Sequence, residues 1–221
     1  MAQPSTKVSR LAEKQSTSLS QLEELLDSTP LATIALVRDG HPLIFPIGFA
    51  RIGDELVIHG STGSPWLRDV AAGAPVAIAV TTLDGVLVAR SGFESSFQFR
   101  SAVIFGVFEQ IPAEDKVQYL ETLTDTFIPG RVAELRASSR KELAATSALR
   151  LRISESTWSL KVGDGWSEDP DEDIAAGVWA GVVPLATVYG DPQRSPDCEE
   201  SIPVPDSVLG MRGELRNRRK E

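Results

Sequence analysis

The run Leu56-Val57-Ile58-His59-Gly60-Ser61-Thr62-Gly63-Ser64-Pro65-Trp66-Leu67 passes from three β-favouring apolar residues into a small, hydroxyl-rich turn and then into a short helix. These are residue types suited to holding a phosphate. Gly60 and Gly63 let backbone bend or approach a ligand closely, and the hydroxyls of Ser61, Thr62 and Ser64 stand beside the free amides of a helix start. Ser64 reads as the N-cap and Pro65 as the first helical residue. The same pattern also serves an ordinary strand-to-helix loop, so residue type alone leaves both readings open.

A second stretch, Phe97 to Phe108, is a long β run with one charge inside it, Arg100. A guanidinium in an apolar strand is costly unless an anion or a bidentate carboxylate meets it. The partner is either a ligand phosphate or an acid such as Glu94. The two histidines, His41 and His59, have no carboxylate or second histidine at metal-ligand spacing, so a zinc hydrolase is not expected. His59 is either a ligand-facing hydrogen-bonding group or a half-buried structural residue. No Gly-x-Ser-x-Gly elbow and no Walker loop occurs, and the acids after Gly163-Asp164-Gly165 lack the alternation of a calcium loop.

Helices and strands must carry these residues. Ser20 is expected to cap a helix over Gln21–Asp27, with Leu22, Leu25 and Leu26 on one face and Pro30 preventing its continuation. Strands follow at Ala32–Val37, Pro42–Arg51 and Leu56–His59, joined by turns at Arg38-Asp39-Gly40 and Gly53-Asp54, which makes an antiparallel meander. After a helix at Pro65–Ala72 come Val76–Val80, a turn at Leu83-Asp84-Gly85, Val86–Ala89 and the long run at Phe97–Phe108. A helix over Glu114–Thr126 ends at Pro129-Gly130, and a second is expected over Glu134–Ala145. Leu149–Ile153 and Thr157–Val162 read as a closing hairpin. The pattern is mainly β with helical additions, a β-barrel with helices between and after its strands. Residues 1–17 read as a disordered arm, 18–189 as one domain and 190–221 as an extended tail.

With 31 Asp and Glu against 22 Lys and Arg, the net charge of -9 argues against nucleic-acid binding through a basic face. The single cysteine, Cys198, excludes an intrachain disulfide and fits a reducing compartment. Nothing in the first 20 residues forms an apolar run of signal or membrane-span length, so a cytoplasmic protein without membrane contact is expected.

Four stretches together resemble the pyridoxamine 5'-phosphate oxidase-like flavoproteins, and within them the flavin-nucleotide-binding branch related to nitroimidazole-resistance proteins. They are Leu56-x-x-His59-Gly60-Ser61 with Gly63-Ser64, Phe99-Arg100-Ser101 with Gly106, Phe127-Ile128-Pro129-Gly130-Arg131, and Trp179-Ala180-Gly181-Val182-Val183-Pro184. The resemblance covers about Leu31 to Leu185. It implies a six-stranded antiparallel split β-barrel, a homodimer, and one FMN in each cleft between the subunits. His59, Gly60, Ser61, Thr62, Gly63 and Ser64 would meet the ring and phosphate, and Phe99, Arg100 and Ser101 would line the same cleft. Phe49 and Trp66 complete the candidate set, Trp66 either as a stacking surface or as core. The sequence departs from the family where a basic residue usually follows the serine of the turn, since Pro65-Trp66 stands there. That substitution opens haem or a deazaflavin as alternative cofactors. The implied function is an FMN-dependent oxidoreductase passing hydride or electrons to a small acceptor, or else a non-catalytic flavin or haem carrier or sensor.

Overall fold

The computed structural model describes residues 4–8, 10–154, 156–211 and 213–214. In chain order the elements are β1 (Gln15–Ser16), α1 (Leu19–Asp27), β2 (Leu31–Arg38), β3 (His41–Ile52), β4 (Glu55–Ser61), α2 (Pro65–Ala71), β5 (Pro75–Val88), β6 (Ser96–Val107) and β7 (Glu109–Gln110). There follow α3 (Lys116–Phe127), α4 (Arg140–Ala145), β8 (Thr146–Arg152), β9 (Thr157–Gly163), α5 (Asp171–Ala175), β10 (Gly181–Pro184), β11 (Val188–Tyr189), α6 (Asp206–Leu209) and β12 (Gly213–Glu214).

The strands pair antiparallel in the order β1-β9-β6-β5-β2-β3-β4-β8-β7, with β10 added to β5 and β11 paired with β12. Nine strands form the path where six were expected. The increase includes two-residue pieces at each end, β1 and β7. The expected hairpin of Leu149–Ile153 with Thr157–Val162 does not form, because β8 pairs with β4 and β7 while β9 pairs with β6 and β1.

That difference explains the shape. Six strand spacings separate β9 from β8 along the path, about 29 Å in a flat sheet. Residues 153–156 must join them, and such a link spans at most about 18 Å. The sheet therefore curls into a half-barrel, the form consistent with a split barrel. Inside it Leu22, Leu25 and Leu26 of α1 pack with Ile34, Phe49, Leu56, Ile78, Ile104, Leu149 and Leu160.

Local chemistry explains the other boundaries. α1 starts at Ser18 rather than Ser20, because the Ser18 hydroxyl accepts from the Gln21 amide. The β2–β3 hairpin turns on Asp39 and Gly40, both with positive φ (51° and 78°), as a two-residue turn between twisted strands requires. Leu83-Asp84-Gly85 is a bulge within one long strand, β5, rather than a turn between two. The expected helix over Glu134–Ala145 divides into a 3-10 turn at Val132–Glu134 and α4, whose capping box is Ser139 with Glu142.

Gly85 is where β10 comes closest to β5: a Cβ there would stand 2.9 Å from Val182 Cγ1 and 3.2 Å from the Val183 carbonyl. Gly85→Val is accordingly expected to release β10 from β5 while leaving the buried core in place. Hydrogen exchange checks this: amides of 181–184 should lose protection, and unchanged exchange there contradicts the assignment.

Candidate functional site

The hydroxyl-rich turn stands between β4 and α2 and is pinned from a distance. Thr62 donates to the Ala145 carbonyl through its amide (2.9 Å) and its hydroxyl (3.2 Å). The Gly63 amide donates to Ser61 Oγ at 3.1 Å. Ser64 holds the N-cap position with extended backbone and Pro65 is at the helix start, but the Ser64 hydroxyl makes no capping bond. Trp66 lies flat against Phe45, ring centroids 4.8 Å apart and planes 15° from parallel, so this face of the indole is spent on packing. Phe49 is 1% exposed and belongs to the core.

Two hollows adjoin this turn and share Thr146. One, of about 280 Å³, carries the charges: Ser61 and Thr62 of the turn face it with Arg68 of α2, Lys116 of α3 and Ser147 of β8, among the apolar side chains of Ala71, Ile111 and Ala148. Lys116 Nζ donates to the carbonyls of Leu143 (3.0 Å) and Thr146 (2.7 Å), which fixes the ammonium at the joint between α4 and β8. The other, of about 330 Å³, is mostly apolar, with Leu120, Leu123, Phe127 and Ile128 of α3 and its following turn around His59. The Phe127–Ile128 part of the third sequence motif thus forms a wall of the His59 hollow.

His59 is exposed by surface area and makes no hydrogen bond among the described residues, yet its pKa is lowered from the usual imidazole value by desolvation. Accessible surface is the better guide to access, and the shift marks a ring set at the edge of packed protein. At neutral pH the imidazole is uncharged, with both nitrogens free of protein partners.

The second candidate set is elsewhere. Phe99, Arg100 and Ser101 are on β6, four strands from β4 along the sheet path, and border neither hollow of the subunit. Arg100 is answered within the chain. Its Nε and Nη2 donate to Asp84 Oδ2 (2.9 Å) and Oδ1 (3.3 Å), a two-point pair with side chains 11% and 18% exposed. The carboxylate is Asp84, carried by the β5 bulge, rather than Glu94. Ser101 Oγ shares a 3.0 Å hydrogen bond with Thr81 Oγ1.

Sequence reasoning missed Arg68 and Lys116. Arg68 is four residues, about one helical turn, beyond Ser64, so spacing alone points it toward the turn. Lys116 carries no such signal, since only the packing of α3 against β8 brings it there. Among the described residues no group of three or more His, Cys, Asp or Glu could hold a metal ion, and no helix is long and apolar enough to cross a membrane.

Two outcomes follow from this geometry. Arg100→Ala removes the two-point guanidinium contact of Asp84, which keeps other contacts such as the Thr82 hydroxyl, and costs about 2 kcal/mol; denaturant unfolding measures it. His59 should titrate below the ordinary imidazole value of ~6.5 by NMR. Since the unfolded chain takes up that proton first, the His59 contribution to stability is full above ~6.5, declines as pH falls below it, and levels off below the folded pKa.

Residues 18–159 match the family model described as pyridoxamine 5'-phosphate oxidase. The fold is similar to that of the FAD and haem binding protein from Mycobacterium smegmatis, at 67% identity and a TM-score of 0.89, covering 92% of this chain and 100% of that one. It is also similar to the flavocytochrome Anf3 from Azotobacter vinelandii, at 32% identity and a TM-score of 0.85, covering 94% and 96%. A protein assigned to 5-nitroimidazole antibiotic resistance from Bacteroides thetaiotaomicron shares the fold at 14% identity and a TM-score of 0.56, covering 66% of this chain and 86% of its own. No curated protein matches the sequence. The family model spans well over half of the chain, and the match to the mycobacterial protein extends across nearly all of it; the chain belongs to the pyridoxamine 5'-phosphate oxidase family.

Proposed function

We propose that this protein binds a flavin nucleotide and haem and passes electrons between a reductant and a small acceptor. One observation carries the reading: a hollow with two cations and no acid in its walls opens beside a hollow with a free, neutral imidazole, and Thr146 borders both. A flavin nucleotide has the same division, a charged phosphate end and a flat, largely apolar ring. FAD is the favoured nucleotide over FMN because the mycobacterial protein, 67% identical, is an FAD and haem binding protein.

The residues present fit the flavin, and the haem rests on the likeness to the mycobacterial protein. Ser61, Arg68 and Lys116 offer a hydroxyl and positive charge for phosphate oxygens. His59 offers an uncharged, hydrogen-bonding nitrogen at the apolar wall where the flavin ring would lie. When bound, the flavin supplies hydride or one-electron chemistry and the haem one-electron exchange. The part of the chain itself is to hold the phosphate end, present an imidazole and exclude water with the side chains of α3.

Neither hollow alone, at about 280 and 330 Å³, encloses a ligand of this size, since sites for such molecules run to about 1,000 Å³. A second copy of the chain supplies the missing wall in this reading. The subunit has apolar surface to offer it, with Leu31, Val37 and Ile44 of β2 and β3 57%, 70% and 65% exposed. A two-fold dimer is also how the Phe99–Ser101 stretch of one copy can reach the His59 turn of the other.

Spectra of the protein as purified, or after adding FAD and haemin, test the proposal. Flavin bands and a Soret band are expected, and chromatography of the released nucleotide should give FAD. His59→Ala should weaken FAD binding, since the imidazole borders the hollow that takes the ring. A protein that takes up neither chromophore contradicts the reading, and a stable monomer that binds both contradicts the dimer. Oxidation of reduced nicotinamide with a quinone or nitro acceptor distinguishes an enzyme from a carrier.

A further inference from the structure

The hollow beside Ser61 has both Arg68 and Lys116 in its walls and no Asp or Glu. In a chain with 31 acids against 22 Lys and Arg, an acid-free hollow with two cations departs from the surface as a whole. Another hollow, of about 620 Å³, carries one charge of each sign, Glu109 and Arg152. Four arginines elsewhere are paired with acids: Arg51 with Asp27, Arg90 with Asp169, Arg100 with Asp84 and Arg136 with Glu142. Arg68 has neither hydrogen bond nor ion pair through its guanidinium among the described residues. Lys116 is held only by two carbonyls, which leaves one of its three N–H groups to donate and its charge without an opposing acid. Positive charge concentrated in a walled hollow of a negative protein draws in an anion.

We infer that Arg68 and Lys116 together bind the phosphate of the flavin nucleotide, replacing the basic residue that the turn lacks at Pro65-Trp66. The inference rests on the flavin reading and assigns its anion subsite. Ser61 adds a hydroxyl on the same side, its proton free because Oγ only accepts from the Gly63 amide. The ring end then extends past Thr146 toward His59, because that is the direction in which the neighbouring hollow opens. Lys116 is set in place by the chain before any ligand arrives, while Arg68, exposed on α2, closes on the anion from the solvent side.

The test titrates riboflavin, FMN, FAD and inorganic pyrophosphate into the wild-type apoprotein and the variants Arg68→Gln and Lys116→Met, reading flavin fluorescence and, for pyrophosphate, heat. Each substitution should weaken FMN and FAD about tenfold, the pair together about a hundredfold, with riboflavin held as before. Pyrophosphate binding should disappear in both. Because Lys116 also ties α4 to β8, Arg68→Gln is the variant free of a structural role, and its result decides. Unchanged FMN and FAD affinities in Arg68→Gln, with wild-type protein binding both, overturn the inference while leaving the flavin reading standing. Wild-type protein that binds pyrophosphate through Arg68 but no flavin supports the anion site and removes the flavin reading. Protein that binds none of the four removes both.

Discussion

Four residues between β8 and β9 constrain the whole molecule. Because residues 153–156 must join strands lying six positions apart in the sheet, the sheet has to bend until its two ends approach each other. Bending separates an inner face, filled by α1 and the apolar side chains of every long strand, from an outer face on which α3 lies against β3, β4 and β8. The His59 hollow is a gap between α3 and that outer face, and the Arg68–Lys116 hollow lies where α2, β7 and β8 meet the start of α3. His59 and Ser61 alternate outward with Val57 along β4, so the period of the strand, two residues per repeat, is what delivers an imidazole and a hydroxyl to the same side.

Local signals made much of this legible. Asp39-Gly40 marked a hairpin, Pro65 a helix start, and the leucine spacing of residues 22–26 a buried helical face. What could not be read was pairing at long range. Leu149–Ile153 and Thr157–Val162 look like two arms of a hairpin because only a short link divides them, and nothing local reveals that each finds a better edge elsewhere. The bulge at Leu83 and Gly85 was mistaken for a turn for a related reason. Asp84 and Gly85 are turn-forming residues, but β6 on one side, and β2 and β10 on the other, hold the strand straight through them.

The candidate site divides along the same line. Ser61, Thr62 and His59 were visible because their types and spacing announce hydrogen bonding near a turn. Arg100 was equally visible, and the question it posed was which anion meets it; the answer came from Asp84, sixteen residues back and unmarked except by the bulge that carries it. Lys116 was invisible because its neighbours in space are contributed by β8 and α4. A charge that the turn lacks in sequence is present in space, and this is the point at which the fold, rather than the motif, determines what the site can hold.

The central claim is that one cleft, running from the Ser61–Lys116 hollow past Thr146 to His59, holds the flavin. Hydrogen exchange followed by mass spectrometry, with and without saturating FAD, addresses it most directly. The account predicts added protection confined to residues 59–64, 116–128 and 146–148. Protection that leaves these segments unchanged and falls instead on the groove between 35–37, 75–77 and 105–107 would contradict it.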